Sequence, residues 1–454
     1  TGTDPSGVGP VGDRGMMSAG KSDHQATAPG KYSSLWKAVS LAEVTSECRS
    51  RNNGQLDDML LCGVLKSHGL VPMRERVKGD STERCKVVAP NAFAYNPMRL
   101  NIGSIARNTA DHSVMVSPDY VVFQTDPERL LPNYLDHVRH SDLWRGYVGA
   151  SGDGSVRVRI YYDQLSRLQL PLPPLPEQRK IAAILTAVDD KLEVIARQIA
   201  ATQTLKQGLM QTLFSCGVGI QNATGSWIPH NEFKDSELGT IPAVWDVGVI
   251  ADYVSALRSG VSVNAEDRVH GDDEVGVLKV SCVVRGEFYP NCHKAVLPEE
   301  RERVAEPVLQ GRIIVSRANT PALVGESAYV DSAWPNLFLP DKLWQIEPSD
   351  RSHSVQWLAF YLQSPFVRQE ISKAATGTSG SMKNIAKPAF LGIRMPLVPL
   401  AEQEHIAAIL SGVTSKIEAL SRKQGHFRTL KLGLMQKLLT GEWRVKLDSA
   451  ANNA

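Results

Sequence analysis

Gly15 to Ser22, GMMSAGKS, fits the phosphate-loop pattern GxxxxGK[ST]. Such a loop cradles phosphates only between a buried strand and a helix, where backbone N–H groups and the helix N-terminus converge. Its flanks here, PSGVGPVGDR and DHQATAPGKY, read as neither, so nucleotide binding is not expected from it. A repeated acid–amide pair, Glu177-Gln178 and Glu402-Gln403, is the next candidate for chemistry. No nearby His or second carboxylate stands at the same spacing from both copies. Capping and docking at a helix start explain the pair better than catalysis. Asn96-Pro97-Met98-Arg99 departs from the Asn-Pro-Pro-Tyr type of amino-methylation motif. No glycine fingerprint for a methyl donor follows a strand, and no Ser/His/Asp or Cys/His set has a recognisable frame. The six cysteines (48, 62, 85, 216, 282 and 292) show no CxxC pair and no His at metal spacing. They read as reduced thiols of a cytoplasmic protein, with no structural metal expected.

Residues suited to binding are easier to find. Gly377, Thr378, Ser379, Ser381, Lys383 and Asn384 form a small polar loop before a strand. Backbone N–H groups, hydroxyls and lysine hold phosphates, and Asn can bond an adenine edge. The same residues also suit a surface turn or a contact to a neighbouring helix. Arg317, Asn319 and Thr320 follow a β-run and could reach nucleic acid or simply end a solvated loop. Lys342 fits a phosphate contact or a surface pair with Asp341. Nearer the N-terminus, Arg99, Arg107, Arg157 and Arg159 are candidates; Arg157 and Arg159 alternate on one strand face, as a basic strip or a solvated sheet face. The net charge of +2 over 454 residues neither demands nor excludes such a partner, because a local basic face can hide in a balanced total.

The elements that must position these residues are organised by a repeat. PLPPLPEQRKIAAIL, from Pro171, returns as PLVPLAEQEHIAAIL from Pro396, an offset of 225 residues that holds without a gap for about forty positions. Each copy opens a long helix. In the first, from about Glu177 to Phe214, Ile181, Leu185, Val188, Leu192, Ile195 and Ile199 are spaced alternately by four and three, a heptad seam. Leu209 lies near its end. The second copy carries Ile406, Leu410, Val413, Ile417, Leu420, Phe427 and Leu434 on the matching stripe. The simplest way to bury both seams is to pair the helices with each other. Before each helix lies a segment of short β-rich runs with Pro and Gly punctuation. The reading is therefore leader (1–34), globular unit (35–175), helix (176–217), connector (218–244), second globular unit (245–399), helix (400–440) and tail (441–454). The leader is rich in Gly, Ser, Asp, Pro and Ala and is expected to be disordered. Hydrophobic content of 42% and charged content of 22% are ordinary for a soluble globular protein. No apolar run reaches the ~18 residues of a membrane span.

With the paired P-L-x-P-L-x-E-Q signals, LGTIPAVW (Leu238 to Trp245), VSPDYVVF (Val116 to Phe123), SRANTP (Ser316 to Pro321) and GTSGSMKNI (Gly377 to Ile385), the chain resembles the DNA-specificity subunits of Type I restriction–modification systems. The resemblance covers about Leu35 to Leu447. The first unit departs from it in having GDGSVRVRI where the second has GTSGSMKNI. The resemblance implies an α+β fold: two mixed α/β target-recognition domains separated by two long helices in an antiparallel coiled coil, with pseudo-two-fold internal repetition. It implies that each domain reads one half of a bipartite, asymmetric target in double-stranded DNA. The helices set the spacer and dock two modification (methyltransferase) subunits, and restriction (nuclease–translocase) subunits join that core. S-adenosylmethionine, ATP and Mg2+ are then expected in the partner subunits and no cofactor in this chain. The competing readings are a coiled-coil scaffold without DNA readout and a phosphate-loop ATPase.

Overall fold

The computed structural model describes residues 33, 35–66, 68–73, 81–151, 159–377 and 382–447. The phosphate-loop-like stretch Gly15 to Ser22 and the candidates Arg157, Thr378, Ser379 and Ser381 lie outside the described residues. The chain forms two compact units, one of residues 1–192 with 426–454, the other of residues 193–425. Each long helix therefore contributes to both.

In the first unit the opening strand Lys37–Ser40 pairs antiparallel with Gln169–Leu172, the strand that leads into the first long helix. Between them lie two four-stranded sheets. One is antiparallel, in the order Thr45–Cys48, Val121–Thr125, Phe93–Tyr95, Ile105–Arg107. The other runs Gly69–Pro72, Leu61–Leu65, Val114–Val116, Lys86–Val88, with its two middle strands parallel. Runs such as Val-Val-Phe at 121–123 suit a buried pleat, because β-branched and aromatic side chains fill it well. Phe93 stacks on Phe123 across the sheet at 5.1 Å. The helices Pro132–Val138 and Asp142–Ala150 cover the antiparallel sheet, the second with Ser141 accepting from the Trp144 N–H. Tyr134, Trp144 and Leu165 share this core with Ile181, Ala182 and Leu185 of the first long helix and Met435, Leu438 and Leu439 at the end of the second.

The second unit repeats the opening strand pair and the order of the antiparallel sheet with different side chains, but its other sheet is ordered differently. Asp246–Val249 pairs with Arg394–Leu397. Its antiparallel sheet runs Val254–Arg258, Leu343–Pro348, Ile313–Ser316, Ser327–Tyr329. Its other sheet runs Ala265–Glu266, His293–Val296, Gly276–Leu278, Leu337–Phe338, the last pair parallel. Ser354 and Ser364 cap the helices Val355–Leu362 and Pro365–Ala374. Trp357 and Tyr361, stacked at 5.5 Å, take Phe214 of the first long helix edge-on. Met210 and Leu213 share this core with Ile406, Ala407 and Leu410 of the second.

The long helices are Leu175–Cys216, 42 residues, and Leu400–Leu438, 39 residues. Pro176 fits within the first turn of the first helix, where a missing N–H costs nothing. Gly217 ends it at φ +67°, a left-handed conformation that glycine adopts freely. In the first unit the start of the first helix lies with the end of the second; in the second unit its end lies with the start of the second. The pairing is antiparallel. The expected seam is buried most at its beginnings: Ile181, Leu185, Ile406 and Leu410 are fully buried, whereas Leu192, Val413 and Ile417 are only partly so. The beginnings of both helices are covered by side chains of the globular units as well as by the partner helix, which a helix-only seam does not anticipate.

Candidate nucleic-acid interface

The Glu-Gln pairs sit in the first turn of each long helix, and both are buried. Gln178 Oε1 accepts from the Leu131 N–H at 2.9 Å, and its Nε2 donates to the carbonyls of Arg129 and Pro173. Gln403 does the same with the Ser354 N–H, the Val398 carbonyl and the Tyr253 hydroxyl. Glu177 takes the Trp36 indole N–H at 3.2 Å and both arms of Arg444 at 2.6 and 2.8 Å. Glu402 takes the Trp245 indole at 2.8 Å, His230 Nε2 at 2.9 Å, and the backbone N–H groups of Val218 and Gly219. A side chain on Gly217 would collide with this carboxylate. Each pair thus ties three things together: the helix start, the globular unit's opening strand, and the segment that leaves the other helix. The tie leaves no free polar atom for catalysis or a partner. Sequence reasoning placed the pairs at helix starts but missed this role, whose only local signal is a Trp just before each unit's opening strand.

In the second unit the structure gathers most of the proposed contacts. Ala318–Asn319 forms a short antiparallel pair with Lys383–Asn384, and Thr376 exchanges two backbone hydrogen bonds with Asn384 at 2.8 Å. The Arg317 N–H reaches the Lys342 carbonyl and its Nε donates to the Asp341 carbonyl at 2.8 Å. Arg317, Thr320, Lys342, Gly377, Lys383 and Asn384 therefore belong to one patch, with Thr320, Lys342, Gly377 and Asn384 exposed. Asn319 is a correction. It is buried, its amide donates to Ser316 Oγ and its carbonyl oxygen accepts from the Thr320 N–H, so it holds the turn and does not face solvent. The surface pair of Lys342 with Asp341 is not formed; the Asp341 backbone serves Arg317 instead.

The first unit's candidates do not converge in the same way. Arg99 and Arg159 are exposed. Arg107 is half-buried and committed, with Nε on Asp136 at 3.2 Å and NH1 on Asn91 at 2.7 Å. Burial pushes the Asp136 carboxyl up, but Arg139 and Arg107 more than offset this and hold it below the usual carboxylate range. Arg107 is thus part of an internal ion-pair cluster, a correction to its reading as a DNA contact. Its partner lies 29 residues away, which no local pattern signals. Leu209 and Leu434 pack against the cores of their own units, and Val188, Ile195 and Leu420 are buried.

Two matching positions around a shared lysine differ sharply between the units. In the first, Asp189 bridges Lys431 at 2.5 Å and lies 3.9 Å from His137, whose Nε2 meets Thr186 Oγ1. The corresponding residues of the second unit are Thr414 and Lys206, at the offset of 225, and Phe360, counted from Ser354 as His137 is from Leu131, the residues whose N–H groups meet the two glutamines; the lysine lies over the Phe360 ring at 5.3 Å. Burial lowers the His137 pKa; Asp189 raises it and Lys431 lowers it further, and the net shift is downward. The folded protein therefore keeps His137 neutral where the unfolded chain binds a proton. Stability of the first unit falls as pH drops below about 6.5, until the lowered pKa is passed. His137→Phe, which copies the second unit, is expected to make that limb of a pH–stability curve shallower while preserving the fold at neutral pH; the remainder comes from His140, whose pKa burial lowers to about 4. An unchanged limb in pH-dependent urea melts would remove His137 as a contributor.

Among the described residues no group of His, Cys, Asp and Glu is placed to hold a metal ion, and no helix is long and apolar enough to cross a membrane.

Residues 149–203 and 282–425 match the Type I restriction modification DNA specificity domain. A Type I restriction enzyme specificity subunit, MjaVIII, of Methanocaldococcus jannaschii is 30% identical over 283 residues, which span 62% of this chain and 63% of that protein, less than two thirds of its length. The EcoKI specificity subunit of Escherichia coli K12 is 23% identical over 352 residues, 72% of this chain and 71% of that one. The crystal structure of a Type I restriction–modification S subunit from M. genitalium shares the fold with a TM-score of 0.55 at 14% identity, covering 89% of this chain and 96% of that one.

Proposed function

We propose, for a chain that belongs to the family of Type I restriction–modification DNA specificity subunits, that it is the non-catalytic reader of a bipartite DNA target. Each unit reads one half, and the long helices set the spacing and dock two methyltransferase subunits, with nuclease–translocase subunits joining them. S-adenosylmethionine, ATP and Mg2+ would be held by those partners. The observation that supports this best is the duplication: the same antiparallel strand order twice, the same Glu-Gln tie twice, and different exposed polar residues, Arg159 and Asn384, at one matching position. A shared frame with unlike side chains suits two readers of unlike half-sequences, whereas a pure scaffold has no need of the second difference. Base contacts carry sequence and phosphate contacts carry register, so both kinds are expected from each patch.

Footprinting the assembled complex on random duplexes tests the reading. A single asymmetric, bipartite protected motif supports it; uniform protection supports a coiled-coil scaffold and refutes readout. The spacing role has its own test. Inserting about one heptad into both helices is expected to change the spacer and leave both half-sequences intact. Altered half-sequences with an unchanged spacer would refute it.

A further inference from the structure

We infer that Arg159 in the first unit and Asn384 in the second occupy one equivalent reading position, Arg159 selecting guanine and Asn384 selecting adenine. The inference rests on the DNA-reading function proposed above. The equivalence comes from the backbone. Tyr95 pairs with Val121 and Ile105 on either side of the central strand, as Val315 pairs with Trp344 and Ser327. Two residues later, the Pro97 carbonyl accepts the Ile160 N–H at 3.1 Å and the Arg317 carbonyl accepts the Ile385 N–H at 3.0 Å. Ile160 and Ile385 are 225 residues apart in sequence, and each is 1% exposed. The residue just before each is therefore anchored by a buried isoleucine whose N–H is fixed to the end of the central strand. In both units that residue is polar and exposed.

The other candidates do not share these properties. Arg99 lies two residues beyond Pro97, as Asn319 lies two beyond Arg317. Asn319 is buried with its amide engaged, so that pair is not a common reading position. Arg107 is neutralised by Asp136. At 159 and 384, by contrast, neither side chain has a hydrogen-bond partner among the described residues. The main-chain N–H and carbonyl of Asn384 are both taken by Thr376, so only its side chain is left to bind. A guanidinium donates two parallel hydrogen bonds to guanine O6 and N7, and a carboxamide pairs with adenine N6 and N7.

The test uses the full chain assembled with its methyltransferase subunits, selecting bound duplexes from a randomised library. The wild type is expected to enrich one bipartite motif. Arg159→Asn is expected to shift one base of one half from guanine toward adenine, with discrimination changed about tenfold to a hundredfold. Asn384→Arg is expected to shift one base of the other half from adenine toward guanine by a similar factor. Both side chains are exposed, and co-purification of each variant with its partners checks that it has folded. A bipartite wild-type motif left unchanged by both variants overturns the assignment. So does an equal weakening on all sequences, which marks a phosphate contact. A wild type that enriches no bipartite motif instead overturns the proposed function, and this inference with it.

Discussion

Glu402→Ala is expected to destabilise the second unit by about 3–5 kcal/mol, the usual cost of removing one partner from a buried charged network. The carboxylate is 2% exposed and accepts from four donors: the Trp245 indole, His230 Nε2 and the N–H groups of Val218 and Gly219. Removing it leaves donors that hydrogen-bonded water in the unfolded chain and find nothing in the fold, at about 1–3 kcal/mol for each one left dry. Water entering the vacated space keeps the total below the sum. Glu402→Gln keeps one acceptor oxygen and is expected to fall between the two. Glu177→Ala is expected to cost less, because Arg444 is partly exposed and can return to solvent. Urea denaturation, with hydrogen exchange at the amides of residues 218 and 219 as a local readout, checks the order. A Glu402→Ala loss no larger than that of Glu177→Ala would contradict this account of the tie.

The second large effect separates the buried stripe of the helices from their exposed apolar residues. Leu410→Ala and Leu185→Ala each vacate a fully buried site and are expected to cost about 2–5 kcal/mol. Leu205, Leu430 and Leu432 lie on the same helices but are 55%, 48% and 61% exposed. Changing them to Ala is expected to move stability by no more than about 0.5 kcal/mol. Under the proposed function, these exposed leucines belong to the surface that meets the methyltransferase subunits. The triple variant is therefore expected to keep its melting curve and weaken co-purification with those partners. Full assembly by the triple variant would place the docking surface elsewhere.

How much of this was legible in the sequence depended on the range over which a physical cause acts. The helices were legible because their cause is local: a heptad stripe, prolines before it, and Gly217 after the first. The register shared by the two units' antiparallel sheets was not, because a hydrogen-bonded ladder needs only backbone. Phe93 and Tyr95 hold the same register as Ile313 and Val315 with little sequence in common. Side-chain roles were the least legible. Arg107 and Arg159 look alike in sequence, yet one is spent on Asp136 and the other is exposed. Asn319 and Asn384 both look like base readers, yet the first is buried in its own turn.

The tie at the head of each helix also bears on how such a protein can change over generations. On the reader side, Gln178 requires only the main-chain groups of Leu131 and Arg129, and Gln403 requires the main chain of Ser354 and the Tyr253 hydroxyl. Glu177 and Glu402 add one tryptophan each, near the point where the reader begins. Main-chain groups are supplied by any amino acid. A gene segment encoding a different globular unit therefore has few polar demands to meet at the joint, a tryptophan at one end and a suitably placed turn farther on, besides an apolar face that fits the helix residues buried in the unit's core. Recombination between genes can then exchange a whole reader at once, leaving the helices and whatever binds them untouched.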